Sequence, residues 1–224
     1  MKLKTIVAAL LVLAAGTGAA HAQLNWWDDA KVEAPQVSLR VEGGLNLSKF
    51  TRVDRWSDFK AGFNIGVMAE RPILNSLSAK AGIFYSLKGA SGKNDGGFGG
   101  DIKNSWAPGY LEIPVMASYR LPVTEAYRAQ FDLGLYFAYG LGGKQTLKYS
   151  GSKVASDSDT KNPVFTKSLK RFDMGMRFGP EFVFNDRLAV AINYEFSLVN
   201  ISNMGGEVGL GNLMFNVSYP FCAF

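Results

Sequence analysis

Tyr127-Arg128-Ala129-Gln130-Phe131-Asp132-Leu133-Gly134-Leu135-Tyr136-Phe137-Ala138-Tyr139-Gly140-Leu141-Gly142 decides the fold. Every odd position is apolar or aromatic. Arg128, Gln130 and Asp132 all fall on even positions. Period-two alternation sustained this long marks a β-strand with two unlike faces.

The same alternation recurs along the chain and predicts about eight strands, at 37–48, 59–70, 77–88, 110–120, 127–142, 171–184, 188–199 and 212–221. Their apolar faces include Val41, Leu45, Phe63, Ile65, Ile83, Tyr85, Ile113, Val115, Leu135, Phe182, Ile192, Tyr194, Phe215 and Val217. These faces total 49 positions. None is charged and none is Asn, Gln, Ser or Thr, although 19% of the chain is charged. The opposite faces carry Arg40, Lys60, Lys80, Lys88, Arg120, Arg128, Arg171 and Arg177. They also carry Glu42, Glu70, Glu112, Asp132, Asp173, Glu181 and Glu195.

Alternation alone does not say which face is inside. A soluble sandwich or barrel turns its apolar face inward. A membrane barrel turns it to lipid. Three features favour the membrane. The apolar faces are pure and aromatic over their full length. The strands are longer than the ~5–6 residues usual in soluble proteins and reach the ~9–11 needed to span a bilayer. Connections alternate in length: 49–58 long, 71–76 short, 89–109 long, 121–126 short, 143–170 longest, 185–187 tight and 200–211 medium. Outer-membrane barrels have short periplasmic turns and longer extracellular loops. Aromatics also gather at both ends of the apolar faces. Tyr119, Tyr127, Phe182, Phe184, Tyr219 and Phe221 lie near the short turns, and Phe59, Tyr85, Tyr139, Phe172 and Phe196 toward the long loops. Two such girdles suit two bilayer interfaces. The fold expected is an all-β, transmembrane, antiparallel up-and-down barrel. Its first and eighth strands must pair, because lipid offers no partner to a free sheet edge.

The ends of the chain fit export. Lys2 and Lys4, the apolar run 6–15 and Ala20-His21-Ala22 form the three parts of a secretory signal peptide. The domains expected are a signal peptide at 1–22, a periplasmic tail at 23–35 containing Trp26 and Trp27, and the barrel at 36–224. Removing 1–22 takes away two lysines and lowers the formal charge from +5 to +3. That bias is too small to suggest a nucleic-acid partner.

Several short runs resemble the PorT-like, or porin-family, bacterial outer-membrane barrels. Gly43-Gly44-Leu45-Asn46-Leu47-Ser48 resembles the family's G-x-N-x-S opening strand, and Gly62-Phe63-Asn64-Ile65-Gly66 is similar. Tyr85-Ser86-Leu87-Lys88-Gly89 and Tyr110-Leu111-Glu112-Ile113-Pro114 resemble its Y-S-x-K-G and Y-L-E-I-P signatures. The resemblance spans about residues 36–221. It implies an outer-membrane barrel of mostly unassigned molecular role. One departure stands out. Barrels of this kind usually end on an aromatic in alternating register, whereas Cys222-Ala223-Phe224 puts Phe224 on the opposite parity from Phe221. Either a bulge restores the register or the last three residues form a tail.

Catalytic constellations are sparse. The only histidine, His21, lies in the signal peptide, and the only cysteine is Cys222. A histidine general base, an activated thiol and the usual zinc ligands are therefore missing from the mature chain. Asp157-Ser158-Asp159 lacks the rest of a calcium loop. Gly96-Gly97-Phe98-Gly99-Gly100 lacks the Lys-Ser/Thr of a phosphate cradle. The expectation is no enzyme, no catalytic or metal site and no cofactor. The inward charges form a salt-bridged filling, with a proton or ion path as the alternative, since eight strands are only just wide enough for their own side chains. Three functions follow. The first is a structural or surface-recognition barrel using loops 89–109 and 143–170. The second is a narrow pore or small-solute transporter, and the third a soluble lipocalin-like binder of an apolar ligand. The partners expected are outer-membrane lipid, the barrel-assembly machinery during biogenesis, and an extracellular or envelope protein still to be identified.

Overall fold

The computed structural model describes residues 36–53, 57–95, 100–122, 127–151, 160–185 and 187–223. The expected signal peptide at 1–22, the tail at 23–35, Gly96-Gly97-Phe98-Gly99, Asp157-Ser158-Asp159 and Phe224 lie outside the described residues. The elements are β1 (Ser38–Thr51), β2 (Lys60–Pro72), β3 (Leu77–Leu87), β4 (Ala90–Asp95), β5 (Gly100–Pro122), β6 (Tyr127–Gly151), β7 (Thr160–Pro163), α1 (Val164–Lys167), β8 (Phe172–Phe184), β9 (Leu188–Ser197) and β10 (Gly209–Ala223).

Eight of these strands form a closed ring in the order β1-β2-β3-β5-β6-β8-β9-β10, with every neighbour antiparallel. The ring closes where β1 pairs with β10, from Thr51 opposite Gly209 to Ser38 opposite Ala223. Their register shifts between Leu39 and Arg40, so Cys222 faces Leu39 and Pro220 faces Arg40. Phe221 is the extra residue of a β-bulge. The departure at the C-terminus is therefore a bulge within a continuing strand, and Cys222 and Ala223 belong to the ladder.

The alternation read from the sequence sets the two faces. None of the 49 apolar-face positions is buried. Leu45 is 66% exposed and Ile192 43%, while the neighbouring Asn46 and Asn193 are buried at 0% and 2%. A soluble barrel would show the reverse. The chain is an inside-out barrel, apolar outside and polar within.

Two loops expected to be flexible are largely ordered. Residues 89–109 contain β4 and the first half of β5, while 143–170 contain the second half of β6, then β7 and α1. β4-β5-β6-β7 thus form a four-stranded sheet continuing past the ring at the long-loop end. Beyond the apolar layer a strand has no lipid to satisfy, so its side chains need not alternate. The backbone ladder persists while the sequence signal for it disappears. A second bulge, at Leu141, lies where β6 leaves the ring: Tyr110 pairs with Gly140, and Gly109 with Gly142. At the tight turn after β8, Asn185 takes a left-handed φ of 48°, a conformation asparagine tolerates better than most residues.

Ile192 sits mid-strand on the outer face. Ile192→Arg should destabilise the inserted barrel by ~2–4 kcal/mol, the cost of arginine on the lipid face at the midplane. Asn193→Ser, pointing inward, should change stability far less. Refolding equilibria in lipid vesicles measure both. Equal effects of the two substitutions would contradict the assignment of faces.

Candidate functional site

The interior is filled in layers. At the short-turn end, the Lys80 ammonium lies 3.0 Å from Asp132 and 3.0 Å from Glu181, and all three side chains are buried. Gln130 donates to Glu181 at 3.3 Å and accepts from the Ser118 hydroxyl at 3.1 Å. Arg120 pairs with Glu70 at 2.7 Å. Arg40 donates to the Ser218 hydroxyl at 3.0 Å and to the Arg187 carbonyl at 2.9 Å, closing the layer at the β8–β9 turn.

Above this layer Met68, Phe84 and Met116 form a small apolar cluster. Phe84 fits because it has glycines beside it. A Cβ on Gly66 would lie 2.6 Å from its ring, and one on Gly82 would lie 2.7 Å away. The Arg177 guanidinium sits 5.6 Å over the same ring, a cation–π geometry.

The second charged layer begins at Arg177, which pairs with Glu42 at 3.0 Å and lies 3.8 Å from Glu195. Lys88 lies between Glu112 and Glu195, 2.7 Å from each, with these side chains at 0–1% exposure. Its ammonium also sits 4.4 Å over the Tyr136 ring. Here Glu42, Glu112, Asp173 and Glu195 outnumber Lys88 and Arg177. Neutral donors supply the difference. Asn216 donates to Glu42 at 2.6 Å, Asn212 to Glu195 at 3.1 Å and the Tyr136 hydroxyl to Asp173 at 3.0 Å. A ladder of amides continues the network sideways, with Asn64 donating to Asn46 at 2.8 Å and to Asn216 at 2.9 Å.

An apolar lid covers this layer at the long-loop end. Phe50, Ala90, Tyr110, Tyr136, Ala138, Val164, Phe165, Leu169, Ile201 and Leu210 form one buried cluster, with Trp106 and Val208 packed against it. Tyr110 meets Phe165 edge-to-face at 5.5 Å, and Phe50 meets Trp106 at 5.3 Å. The lid is small and soluble-like, built by α1 and the segments flanking β8 and β10. The sequence carried a signal for it in the apolar pair Val164-Phe165 within a polar loop, but strand periodicity does not register such a pair.

All seven acids expected inside are buried, as are Arg40, Lys80, Lys88 and Arg177. Two cations expected inside lie at the rim instead. Arg171 is exposed, donates to the Gly140 carbonyl at 2.7 Å and stacks 5.4 Å from Phe165. It is the last residue before β8, and alternation no longer governs it there. Lys60 is half-buried and donates to the Ser105 hydroxyl at 2.8 Å and the Trp106 carbonyl at 2.9 Å, where the sheet extension begins. Among the described residues no three His, Cys, Asp or Glu side chains form a group that could hold a metal ion.

Residues 27–203 match the protein family described as outer membrane protein beta-barrel domain. No curated protein sequence matches the chain. Similar solved structures include Ail, the attachment invasion locus protein of Yersinia pestis, in complex with the heparin analogue sucrose octasulfate. It has TM-score 0.42 and 15% identity, over 84% of this chain and 100% of that one. They also include the outer membrane enzyme PagL (0.46, 11%, 81% and 99%) and the outer membrane protein OprG from Pseudomonas aeruginosa (0.41, 11%, 87% and 99%).

Lys88 holds two carboxylates together. Lys88→Met should leave them facing one another without a cation and cost ~3–5 kcal/mol, the usual penalty for breaking a buried pair from one side. Lys88→Met combined with Glu112→Gln and Glu195→Gln should recover most of that loss. The temperature at which the folded barrel loses its compact migration on gels reports both. A single substitution as stable as the native chain would contradict the pairing.

Proposed function

This chain belongs to the family of outer membrane protein β-barrel domains, and from its place in the bacterial outer membrane we propose that it is a non-catalytic barrel with a sealed interior. Its role is structural anchoring or recognition at the cell surface, through the extracellular sheet and lid. One observation carries this reading: Lys88, Glu112 and Glu195 are fully buried and mutually paired beneath the apolar lid. Each buried polar group that finds a partner inside removes a reason for water or substrate to enter.

A pore or transporter needs a continuous polar path. Here the second charged layer has the Met68–Phe84–Met116 cluster below it and the lid above. A hydrolase needs a nucleophile and a base with access to substrate. The buried acids have access to neither bilayer nor solvent. The Y-S-x-K-G and Y-L-E-I-P motifs support a finer placement among PorT-like barrels. The leader at 1–22 supports export, and with it passage through the barrel-assembly machinery. The partners of the reading are outer-membrane lipid and an extracellular or envelope protein. It involves no cofactor and no nucleic acid.

Glu112→Gln, Asp132→Asn and Asp173→Asn test the assignment. Each should lower folding yield or thermal resistance, and none should abolish a reaction, because purified protein should show no turnover of phospholipid or lipopolysaccharide acyl esters. A hydrolytic activity lost in one of these variants while its fold is kept would show that the barrel is an enzyme.

A further inference from the structure

The extracellular sheet contains an arrangement that works against its own stability. Lys103 on β5 is directly opposite Lys93 on β4 and directly opposite Lys148 on β6. Three lysines therefore occupy one rung across three adjacent strands. Like charges placed directly opposite destabilise a sheet, and strands ~4.8 Å apart bring these positions close. Lys161 on β7 is opposite Thr146, two residues from Lys148, so it shares the same face. Lys144, exposed and opposite Ala107, does too. Five lysines thus share one face. The two acids there, Asp95 and Asp101, form a separate rung at the tip.

Which face this is follows from the strands. β5 has no bulge between Leu111 and Lys103, so odd positions stay on one side. Lys103 lies on the face of β5 that carries Leu111, Ile113 and Val115 in the bilayer. The bulge at Leu141 moves the even positions of β6 to that same face. The opposite face carries Ala90, Trp106 and Gln145 and packs on the lid, where the Ser168 hydroxyl donates to Gln145 at 3.1 Å. The lysine face therefore looks sideways, over the membrane surface beside the barrel, and away from the mouth. Lys144 lies three residues past Leu141, ~10 Å along the strand. Lys103 lies eight residues past Leu111, ~27 Å along it. The lysines rise from headgroup level outward. The extracellular segments 49–59, 89–109, 143–171 and 200–211 together hold twelve Lys/Arg against seven Asp/Glu, so the whole side is basic.

We propose that the outward face of the β4–β7 sheet binds the phosphate-bearing saccharide headgroup of outer-leaflet glycolipid, with the Lys93–Lys103–Lys148 rung as its centre. Charge complementarity accounts for a rung of like charges in a sheet that would otherwise discard it. The sideways aspect selects a membrane component over a ligand descending on the mouth. Binding relieves the repulsion within the rung, so glycolipid should stiffen the sheet.

The test uses the full chain in mixed detergent micelles. The probe is purified lipopolysaccharide, native or enzymatically dephosphorylated, and the readout is phosphate retained per captured barrel across a salt series. Native protein should retain the phosphorylated form, weakly at high salt because exposed charges are screened, and should not retain the dephosphorylated form. Each neutralised lysine should weaken retention about fivefold, as expected for one lysine at an anionic surface. K93Q/K103Q/K148Q should then retain almost none. K103Q and K148Q alone give the same measurement should the triple variant fail to show folded gel migration. Retention unchanged in the variants would overturn the proposal. So would tighter binding of soluble dextran sulfate than of lipopolysaccharide, which would place the partner outside the membrane.

Discussion

Lipid supplies no hydrogen-bond partner, and the rest of this structure follows from that constraint. Backbone groups must pair with other backbone groups, so the sheet closes on itself through β1 and β10. Side chains on the outer face must be apolar, and so the polar ones go inside. Inside, they have to satisfy each other, because a ring of eight strands leaves little room for water.

The interior meets that demand with charge rather than with a conventional core. Lys80 links Asp132 to Glu181 near the periplasm, and Lys88 links Glu112 to Glu195 near the outside. Amides and tyrosine hydroxyls complete what the cations leave short. Buried pairs of this kind contribute little net stability, because desolvation offsets their attraction, but breaking one from one side is expensive. They therefore specify one arrangement more than they strengthen it. Apolar material is confined to two places, the Met68–Phe84–Met116 cluster and the lid. Glycines on the inner face make the dense packing possible. A Cβ on Gly175 would lie 2.6 Å from the Tyr136 ring, and Gly66 and Gly82 leave the space that Phe84 occupies.

The barrel itself was legible in the sequence because the bilayer enforces a strict rule on every second residue. Tyr127 to Leu141 obey it, and so do Leu188 to Leu198, whose odd and even members face lipid and interior as their chemistry requires. Legibility stops where the rule stops. Past Leu141 and before Leu111 the strands leave the apolar layer, and the sheet they continue to form carries no alternation to betray it. Arg171 was placed inside by parity and lies at the rim, because it falls one residue outside the ladder. The lid depends on Phe50, Tyr110, Val164, Phe165 and Ile201, which come from five separate stretches of chain and meet only in three dimensions. The pairings among interior charges were legible as a balance of signs but not as partners. Cross-barrel neighbours such as Lys80 and Glu181 are set by strand stagger, which no local pattern encodes.

Ion conductance measures the central claim, a sealed interior, most directly. Purified, folded protein inserted into a planar bilayer should leave the membrane without unit conductance steps at moderate voltage, because two layers of paired charge lie under the lid. Replacing Val164, Phe165 and Leu169 with serine should not open a steady current, since the pairs around Lys88 stay in place below. Discrete, voltage-stable steps from the native chain, enlarged by Lys88→Ser, would show a continuous aqueous path and contradict the account.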